Sequence, residues 1–256
     1  MKRRAIIILL SSLLLSLFTN AVQAQRAHPD LFKPIANTEL ILVVVTNDWS
    51  SVQGNLYAFN HQGGTWKLAF TNPVVVGSKG LGMGAGLVNI ALDSAPVKRE
   101  GDLKAPAGIF TIGAAFGYAD ADSAKWINNP YIKAADTVIC VDDVHSVFYN
   151  TLLNTDTAKQ DWNSFEYMHR KDNYYKWGLF VNHNANKPVP GKGSCIFMHI
   201  WENDHEGTEG CTAMQEADLL KLLHWIDAGK NPLLVQLPKT EFLRLFKNWK
   251  FPAIQP

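Results

Sequence analysis

Apolar and β-branched residues occur along most of the chain in short runs, which is the pattern of strands. Residues 40–45 form a continuous apolar run that predicts a buried strand. Residues 55–59 and 65–70 flank a glycine-containing turn, which predicts a β-hairpin. Further strands are expected at residues 74–76, 109–112, 137–141, 177–181, 195–200 and 233–237.

The pattern changes to a helical period near the C-terminus. Leu219, Leu222, Leu223 and Ile226 follow the spacing i, i+3, i+4, i+7 and predict one apolar helix face that ends before Gly229. A second helix is expected at residues 240–249. We therefore expect a single mainly β domain with peripheral α-helices over residues 38–256.

The N-terminus carries the features of a secretory signal peptide. Residues 2–4 are basic, residues 5–18 are apolar, and residues 22–24 read Val-Gln-Ala, which fits a cleavage site. The apolar run of about 14 residues is short for a membrane-spanning helix, which needs about 20. We expect residues 1–24 to be a signal peptide and residues 25–37 a leader, with an N-terminal anchor as the alternative. The mature protein is then expected in the periplasm or elsewhere in the cell envelope, without an integral membrane segment.

Charge and cysteine content narrow the functional classes. The 256 residues include 24 Lys and Arg against 23 Asp and Glu, a balance that argues against the basic surface of a general nucleic-acid binder. The three cysteines are an odd number, so at least one thiol stays outside any intramolecular disulfide. Cys140 and Cys195 lie on predicted strands and are either buried free thiols or a disulfide pair.

Cys211 and His199 are the first candidates for chemistry. Cys211 lies shortly before the predicted C-terminal helix, where the positive end of a helix dipole would favour the thiolate. Gly210 permits a tight turn in which nearby amides face a developing oxyanion. His199, at the end of a predicted strand, is a candidate base. A cysteine and a histidine alone are compatible with structural roles as well.

Three ordered motifs give the chain a family resemblance. The Thr-Glu-Gly-Cys segment at residues 208–211 resembles the Ser/Thr-x-Gly-Cys signature of the L,D-transpeptidase (YkuD-type) catalytic domain family, and His199 lies where that family has its histidine. Residues 98–110 resemble the family's Asp-Gly-x-x-Pro-x-Gly-x-Phe/Tyr stretch, and residues 75–80 resemble part of its N-terminal region. The Thr-x-Gly-Cys-x-Ala-Met form is most similar to the YafK-like branch.

The resemblance implies a β-sandwich domain that acts on peptidoglycan stem peptides through a cysteine thioester and needs no cofactor. It implies that Cys211 is the nucleophile, that His199 is the base, and that the amides of Gly210 and Cys211 form the oxyanion hole. A backbone carbonyl is expected to orient the histidine. The implied activity is transfer in cell-wall cross-linking or remodelling.

Two departures leave the reaction open. Glu209 replaces the usual His before the glycine, and Ala213 replaces the usual Arg or Asn after the cysteine. The alternatives are an L,D-carboxypeptidase or amidase that hydrolyses wall peptides or attachments, and a non-catalytic wall-binding module. A zinc-dependent hydrolase using His199, His205 and Cys211 is a further alternative, although this spacing fits no recurring zinc pattern.

The remaining candidates are side chains near these motifs. Substrate contacts are expected from a set on both sides of the signature and from one upstream lysine: Thr208, Glu209, Trp201, Thr212 and Lys98. Lys98 is also compatible with a solvated loop. The expected partner is the peptidoglycan stem peptide, and no nucleic acid is expected.

Overall fold

The structure, a computed structural model, describes residues 37–90, 92, 94–249 and 251–254. The predicted signal peptide and nearly all of the predicted leader lie outside the described residues. Within the described part of the chain, no helix is both long enough and apolar enough to cross a membrane.

The described residues form a mainly β fold in which most strands belong to one 10-stranded sheet and the others to a 3-stranded sheet. In chain order the strands are β1 (Leu40–Thr46), β2 (Gln53–Gln62), β3 (Thr65–Val75), β4 (Leu81–Met83), β5 (Ala105–Gly117), β6 (Tyr131–Lys133), β7 (Val138–Val141), β8 (Thr151–Asn154), β9 (Phe165–Tyr167), β10 (Trp177–Val181), β11 (Phe197–Ile200), β12 (Thr212–Met214) and β13 (Leu233–Pro238). The two α-helices are α1 (Glu216–Trp225) and α2 (Lys239–Trp249).

The large sheet returns on itself. Its strands follow the order β10-β11-β12-β3-β2-β1-β13-β5-β4, and β10 also pairs with β5. β1 and β13 run parallel at its centre, and all their residues are buried. α2 packs on both strands. Because successive side chains point to opposite faces and all of them are buried, each strand is covered on both faces, which explains their continuous apolar sequence.

The predicted hairpin and the first predicted helix are present. β2 and β3 pair antiparallel through a turn in which Gly63 and Gly64 have φ values of 58° and 79°, a conformation that glycine adopts without steric cost. Helix α1 buries Leu219, Leu222 and Leu223 against the core. The mainly β fold with peripheral helices is therefore confirmed.

The small sheet, with the order β8-β7-β9, lies outside the large one. β7 pairs with β9, which places Cys140 opposite Glu166. β7 was expected from its apolar run. β8 and β9 were not, because strands of three or four residues are too short to show a periodic pattern.

Candidate active site

Two neighbouring strands and the loop between them place the predicted nucleophile and the predicted base at one cleft. β11 carries His199, and the loop after it leads to Cys211, the residue immediately before β12, which pairs parallel with β11. His199 and Cys211 line the same cleft, which has a volume of about 540 Å3. Five more of the predicted candidates line this cleft: Lys98, Trp201, Thr208, Glu209 and Gly210.

The thiol of Cys211 is buried and neutral at rest. Its exposed fraction is 7%, and its Sγ accepts a hydrogen bond from the Phe197 amide at 3.3 Å and donates one to the Cys195 carbonyl at 3.6 Å. Burial raises the pKa of the Cys211 thiol well above its usual value, and the nearby carboxylate of Glu166 raises it further.

The expectation of a thiolate stabilised by a helix dipole is wrong. β12 separates Cys211 from helix α1, whose first residue is Glu216. The effect of the dipole is confined to about the first turn of a helix. The apolar period identified the helix, but the three-residue strand before it left no signal in the sequence.

His199 is a neutral imidazole with one nitrogen available as a base. Its Nδ1 lies 2.8 Å from the carbonyl oxygen of Ile200. Because a carbonyl only accepts hydrogen bonds, Nδ1 carries the proton and Nε2 is left unprotonated. Burial lowers the pKa of His199 from 6.5 to about 4, so this base form prevails at neutral pH. The ring packs edge-on against Tyr175, with 5.2 Å between ring centroids.

Thr208 fixes the backbone around the thiol. Its Oγ1 donates a hydrogen bond to the Cys211 carbonyl at 2.7 Å and accepts one from the Gly210 amide at 3.1 Å. The expected oxyanion hole differs in one donor, because the Gly210 amide already donates its hydrogen bond to Thr208. Of the two expected donors, the Cys211 amide is the one that remains.

Gly210 has a conformation that requires glycine. Its φ is 148°, and a Cβ atom added to it would lie 3.2 Å from the carbonyl oxygen of Lys104. Lys104 belongs to the upstream segment at residues 98–110 that resembled a family motif. The structure therefore packs two of the sequence motifs directly against each other.

Thr212 and Lys98 differ from expectation. Thr212 is a correction: it is 1% exposed, does not line the cleft, and donates its hydroxyl hydrogen bond to Gln236 Oε1 at 2.7 Å inside the core. Lys98 is buried with an exposed fraction of 4%, so its alternative reading as part of a solvated loop is wrong. Ala213, at the position of the usual Arg or Asn, is fully buried.

The other two cysteines are joined. Cys140 and Cys195 form a disulfide with their Cα atoms 5.9 Å apart, and Cys211 is the free thiol. His205 is exposed, and its Nδ1 lies 2.9 Å from Asp204. The described residues contain no group of three or more His, Cys, Asp or Glu side chains placed to hold a metal ion, so the zinc alternative gains no support.

The cleft also contains side chains that the sequence did not single out. Tyr175 donates a hydrogen bond from its hydroxyl to Glu166 Oε2 at 2.7 Å, and the Arg170 guanidinium lies 5.1 Å from the Tyr175 ring centroid. Burial raises the pKa of Glu166 from 4.5 to about 7, and the Asp142 charge also raises it. Asp142 lines the cleft, whereas Asp143 accepts hydrogen bonds from the amides of His145, two residues on, and of Asn163. No motif distinguishes Glu166, because β9 is only three residues long. Tyr175 lies between β9 and β10, where no periodic pattern marks it.

Comparison with known proteins bears on the family to which this chain belongs. No curated protein matches the chain. A solved structure described as "Structure of Bdellovibrio bacteriovorus Bd1075" is similar, with 13% sequence identity and a TM-score of 0.40 over 84% of this chain and 56% of that one. The chain thus spans little more than half of that protein's length.

The family model described as "L,D-transpeptidase catalytic domain" (YkuD) matches residues 48–235, a range that contains both His199 and Cys211. The YafK-like branch stays a prediction. With this match over most of its length, the chain belongs to the L,D-transpeptidase catalytic domain (YkuD) family.

Proposed function

We propose that the protein is an exported cysteine acyltransferase that acts on peptidoglycan stem peptides. The observation that carries the proposal is the shared cleft, in which the free thiol of Cys211 and the neutral imidazole of His199 are both held by main-chain hydrogen bonds. A nucleophile and a base positioned in one cleft suit acyl transfer.

The first half-reaction follows from the neutral state of both groups. His199 Nε2 takes the thiol proton as Cys211 Sγ bonds to the substrate carbonyl carbon, and the carbonyl π electrons move to oxygen. The tetrahedral oxyanion then collapses, the peptide C–N bond breaks, and the amine leaves with the proton from His199. A thioester on Cys211 results. Because the resting thiol is not ionised, proton transfer accompanies attack.

The second half-reaction reverses these steps with a new acceptor. An amine or a water molecule loses a proton to His199 and attacks the thioester, which returns the thiol and releases the acyl product. An amine gives transfer and water gives hydrolysis. Carboxylates at the cleft, among them Glu166, Glu209 and Asp142, favour a substrate or acceptor that carries an ammonium group.

The disulfide supports the proposed location. Disulfides persist in oxidising compartments such as the bacterial periplasm and are rare in the cytosol. The Cys140–Cys195 bond fits a protein exported by the predicted signal peptide. Reaction of Cys211 with the other cysteines is also limited when these are already paired.

Product analysis tests the proposal. Purified protein is incubated with tetrapeptide muropeptides, and the products are identified by mass spectrometry beside the Cys211→Ala variant. Cross-linked dimers indicate transfer, whereas loss of the terminal residue without dimers indicates carboxypeptidase activity. Release of a wall-bound peptide or protein indicates an amidase. If neither wild type nor Cys211→Ala forms any product while both sediment with isolated sacculi, the non-catalytic wall-binding alternative holds.

A further inference from the structure

Lys98 is a buried cation that its surroundings hold in one position. Its exposed fraction is 4%, and its Nζ donates hydrogen bonds to Asp102 Oδ1 at 2.6 Å and to the Arg99 carbonyl at 2.8 Å. Its Cε packs closely on Gly193, where a Cβ atom would lie 3.0 Å away. A lysine is rarely buried this far without a partner, and Asp102 is that partner.

The carboxylate of Asp102 is itself held in the charged form. Burial acts to raise its pKa, but the hydrogen bonds from Lys98 and from the Lys104 and Arg99 amides lower the pKa overall. The ion pair is therefore maintained across the neutral range. Its geometry fixes the direction of the Lys98 ammonium before any substrate arrives.

The ammonium lies beside the nucleophile loop. Lys98 Nζ is 3.6 Å from the position that a Cβ atom on Gly210 would occupy, and Lys98 lines the cleft together with Cys211. An ammonium has three N–H donors, and the hydrogen bonds in the described part of the chain use two of them. One N–H donor remains for a group bound at Cys211.

The other cation at the cleft is engaged differently. Among the described residues that line the cleft, the second Lys or Arg is Arg170. Its guanidinium binds Asp172 and lies over the rings of Tyr174 and Tyr175. Arg170 is thus on the Tyr175 side of the cleft, whereas Lys98 adjoins Gly210.

We propose that Lys98 is a catalytic residue that donates a hydrogen bond from Nζ to the oxyanion formed when Cys211 attacks the substrate carbonyl. The inference rests on the proposed function of Cys211. The role requires only a hydrogen bond from the ammonium and adds no proton transfer to the reaction.

A donor from Lys98 would complete the set of hydrogen bonds to the oxyanion. The Gly210 amide is bonded to Thr208, which leaves the oxyanion one donor short of the expected pair. A charged donor, fixed in advance in a site with little water, stabilises developing negative charge more strongly than a neutral one. Ala213 supplies no polar group from β12, so the charge comes from the upstream segment instead.

Three variants separate this role from substrate binding and from folding. Lys98→Met removes the charge and keeps the aliphatic stem, Lys98→Arg keeps the charge, and Arg99→Met removes the neighbouring exposed cation as a matched control. If Lys98→Met does not fold, Lys98→Gln replaces it. For each variant, kcat and KM are measured with tetrapeptide muropeptides. The rate of Cys211 alkylation by iodoacetamide is measured separately and needs no wall substrate.

We expect Lys98→Met to lower kcat by about 100-fold, the effect of removing one oxyanion donor, with KM nearly unchanged. We also expect alkylation at neutral pH to slow by about tenfold, since the thiolate loses a neighbouring positive charge. Lys98→Arg should recover part of kcat, and Arg99→Met should resemble wild type.

Three results overturn the proposal. A raised KM with wild-type kcat in Lys98→Met makes Lys98 a contact for a substrate carboxylate. An equal loss of kcat in Arg99→Met means that the overall positive charge of the surface, and not Lys98 itself, causes the effect. Unchanged alkylation and unchanged kcat in Lys98→Met leave Lys98 a structural residue. If wild type itself turns over no muropeptide, the proposed function fails, and the alkylation rates still decide whether Lys98 acts on Cys211.

Discussion

The hydroxyl of Thr208 joins the two sides of the nucleophile loop, because it donates a hydrogen bond to the Cys211 carbonyl at 2.7 Å while accepting one from the Gly210 amide. One side chain thus fixes the main chain on both sides of the peptide bond that precedes the thiol. The threonine of the Thr-x-Gly-Cys motif therefore has a physical role that does not require it to touch substrate.

Replacing this hydroxyl tests that role. Thr208→Val keeps the shape but removes the donor and the acceptor, so we expect kcat to fall by about tenfold, which corresponds to roughly 1.4 kcal/mol. Thr208→Ser keeps the hydroxyl and should retain most of the activity. Equal kcat values for Thr208→Val and wild type would show that the loop is held without this side chain.

The pH dependence of activity should report the buried state of His199. Only the unprotonated imidazole is a base, and burial lowers its pKa to about 4. As pH falls, activity should therefore persist below pH 6.5 and be lost only near pH 4. The acid limb of kcat against pH measures this value. An acid limb centred at 6.5 would mean that the histidine is exposed to solvent during turnover.

The disulfide should stabilise the domain substantially. It links residues separated by 55 positions in the chain, and a loop of that size corresponds to about 4 kcal/mol of unfolding free energy in the chain-entropy model. The double variant Cys140→Ser/Cys195→Ser should unfold at a clearly lower urea concentration than wild type. An unchanged midpoint would contradict a bonded pair.

The same variant should alter the nucleophile. The Cys195 carbonyl accepts the hydrogen bond of the Cys211 thiol, and the disulfide anchors Cys195 to β7. We expect the rate of Cys211 alkylation in the double variant to differ from that of wild type under conditions where both are folded. Circular dichroism at the assay temperature supplies the folding control.

Stability should fall in mild acid for a reason specific to two buried histidines. Burial lowers the pKa of His183 and of His199 from 6.5 to about 4. Between these values the unfolded chain binds more protons than the folded one, so stability is lost as pH falls. Glu166, with its pKa raised from 4.5 to about 7, has the opposite sign and offsets one histidine.

Two variants separate these contributions. Urea unfolding between pH 7 and pH 4.5 should show a smaller loss of stability for His183→Gln than for wild type. Glu166→Gln should show a larger loss, because the compensating group is gone. If the free energy of unfolding depends on pH in the same way in all three proteins, the burial of His183 and Glu166 does not cause the loss of stability.

The long elements could be predicted from the sequence because they have patterns that reach over many residues. The apolar run of β1, the hairpin of β2 and β3, and the apolar face of α1 each extend through at least one full period of their structure. β9 and β12, with three residues each, carry no such signal. Missing β12 led directly to the wrong expectation about the helix dipole at Cys211.

At the active site, too, some features could be predicted from the sequence and others could not. Cys211 and His199 could be named because a short motif and a strand end mark them. The burial that raises the pKa of the thiol and lowers that of the imidazole depends on Tyr175, Phe197 and the disulfide, which meet only in the folded chain. Thr212 adjoins the motif in sequence, but the alternation of side chains along β12 turns it into the core.

Trapping the acyl-enzyme decides whether Cys211 carries the acyl group of a wall peptide as a thioester. Wild-type protein is mixed with a tetrapeptide muropeptide, quenched in acid within one turnover and digested for mass spectrometry. We expect an adduct with the mass of the acyl portion on the peptide that contains Cys211, and no adduct in Cys211→Ala. Product formation by Cys211→Ala at the wild-type rate, without any adduct on the wild-type cysteine, would show that Cys211 does not carry the acyl group.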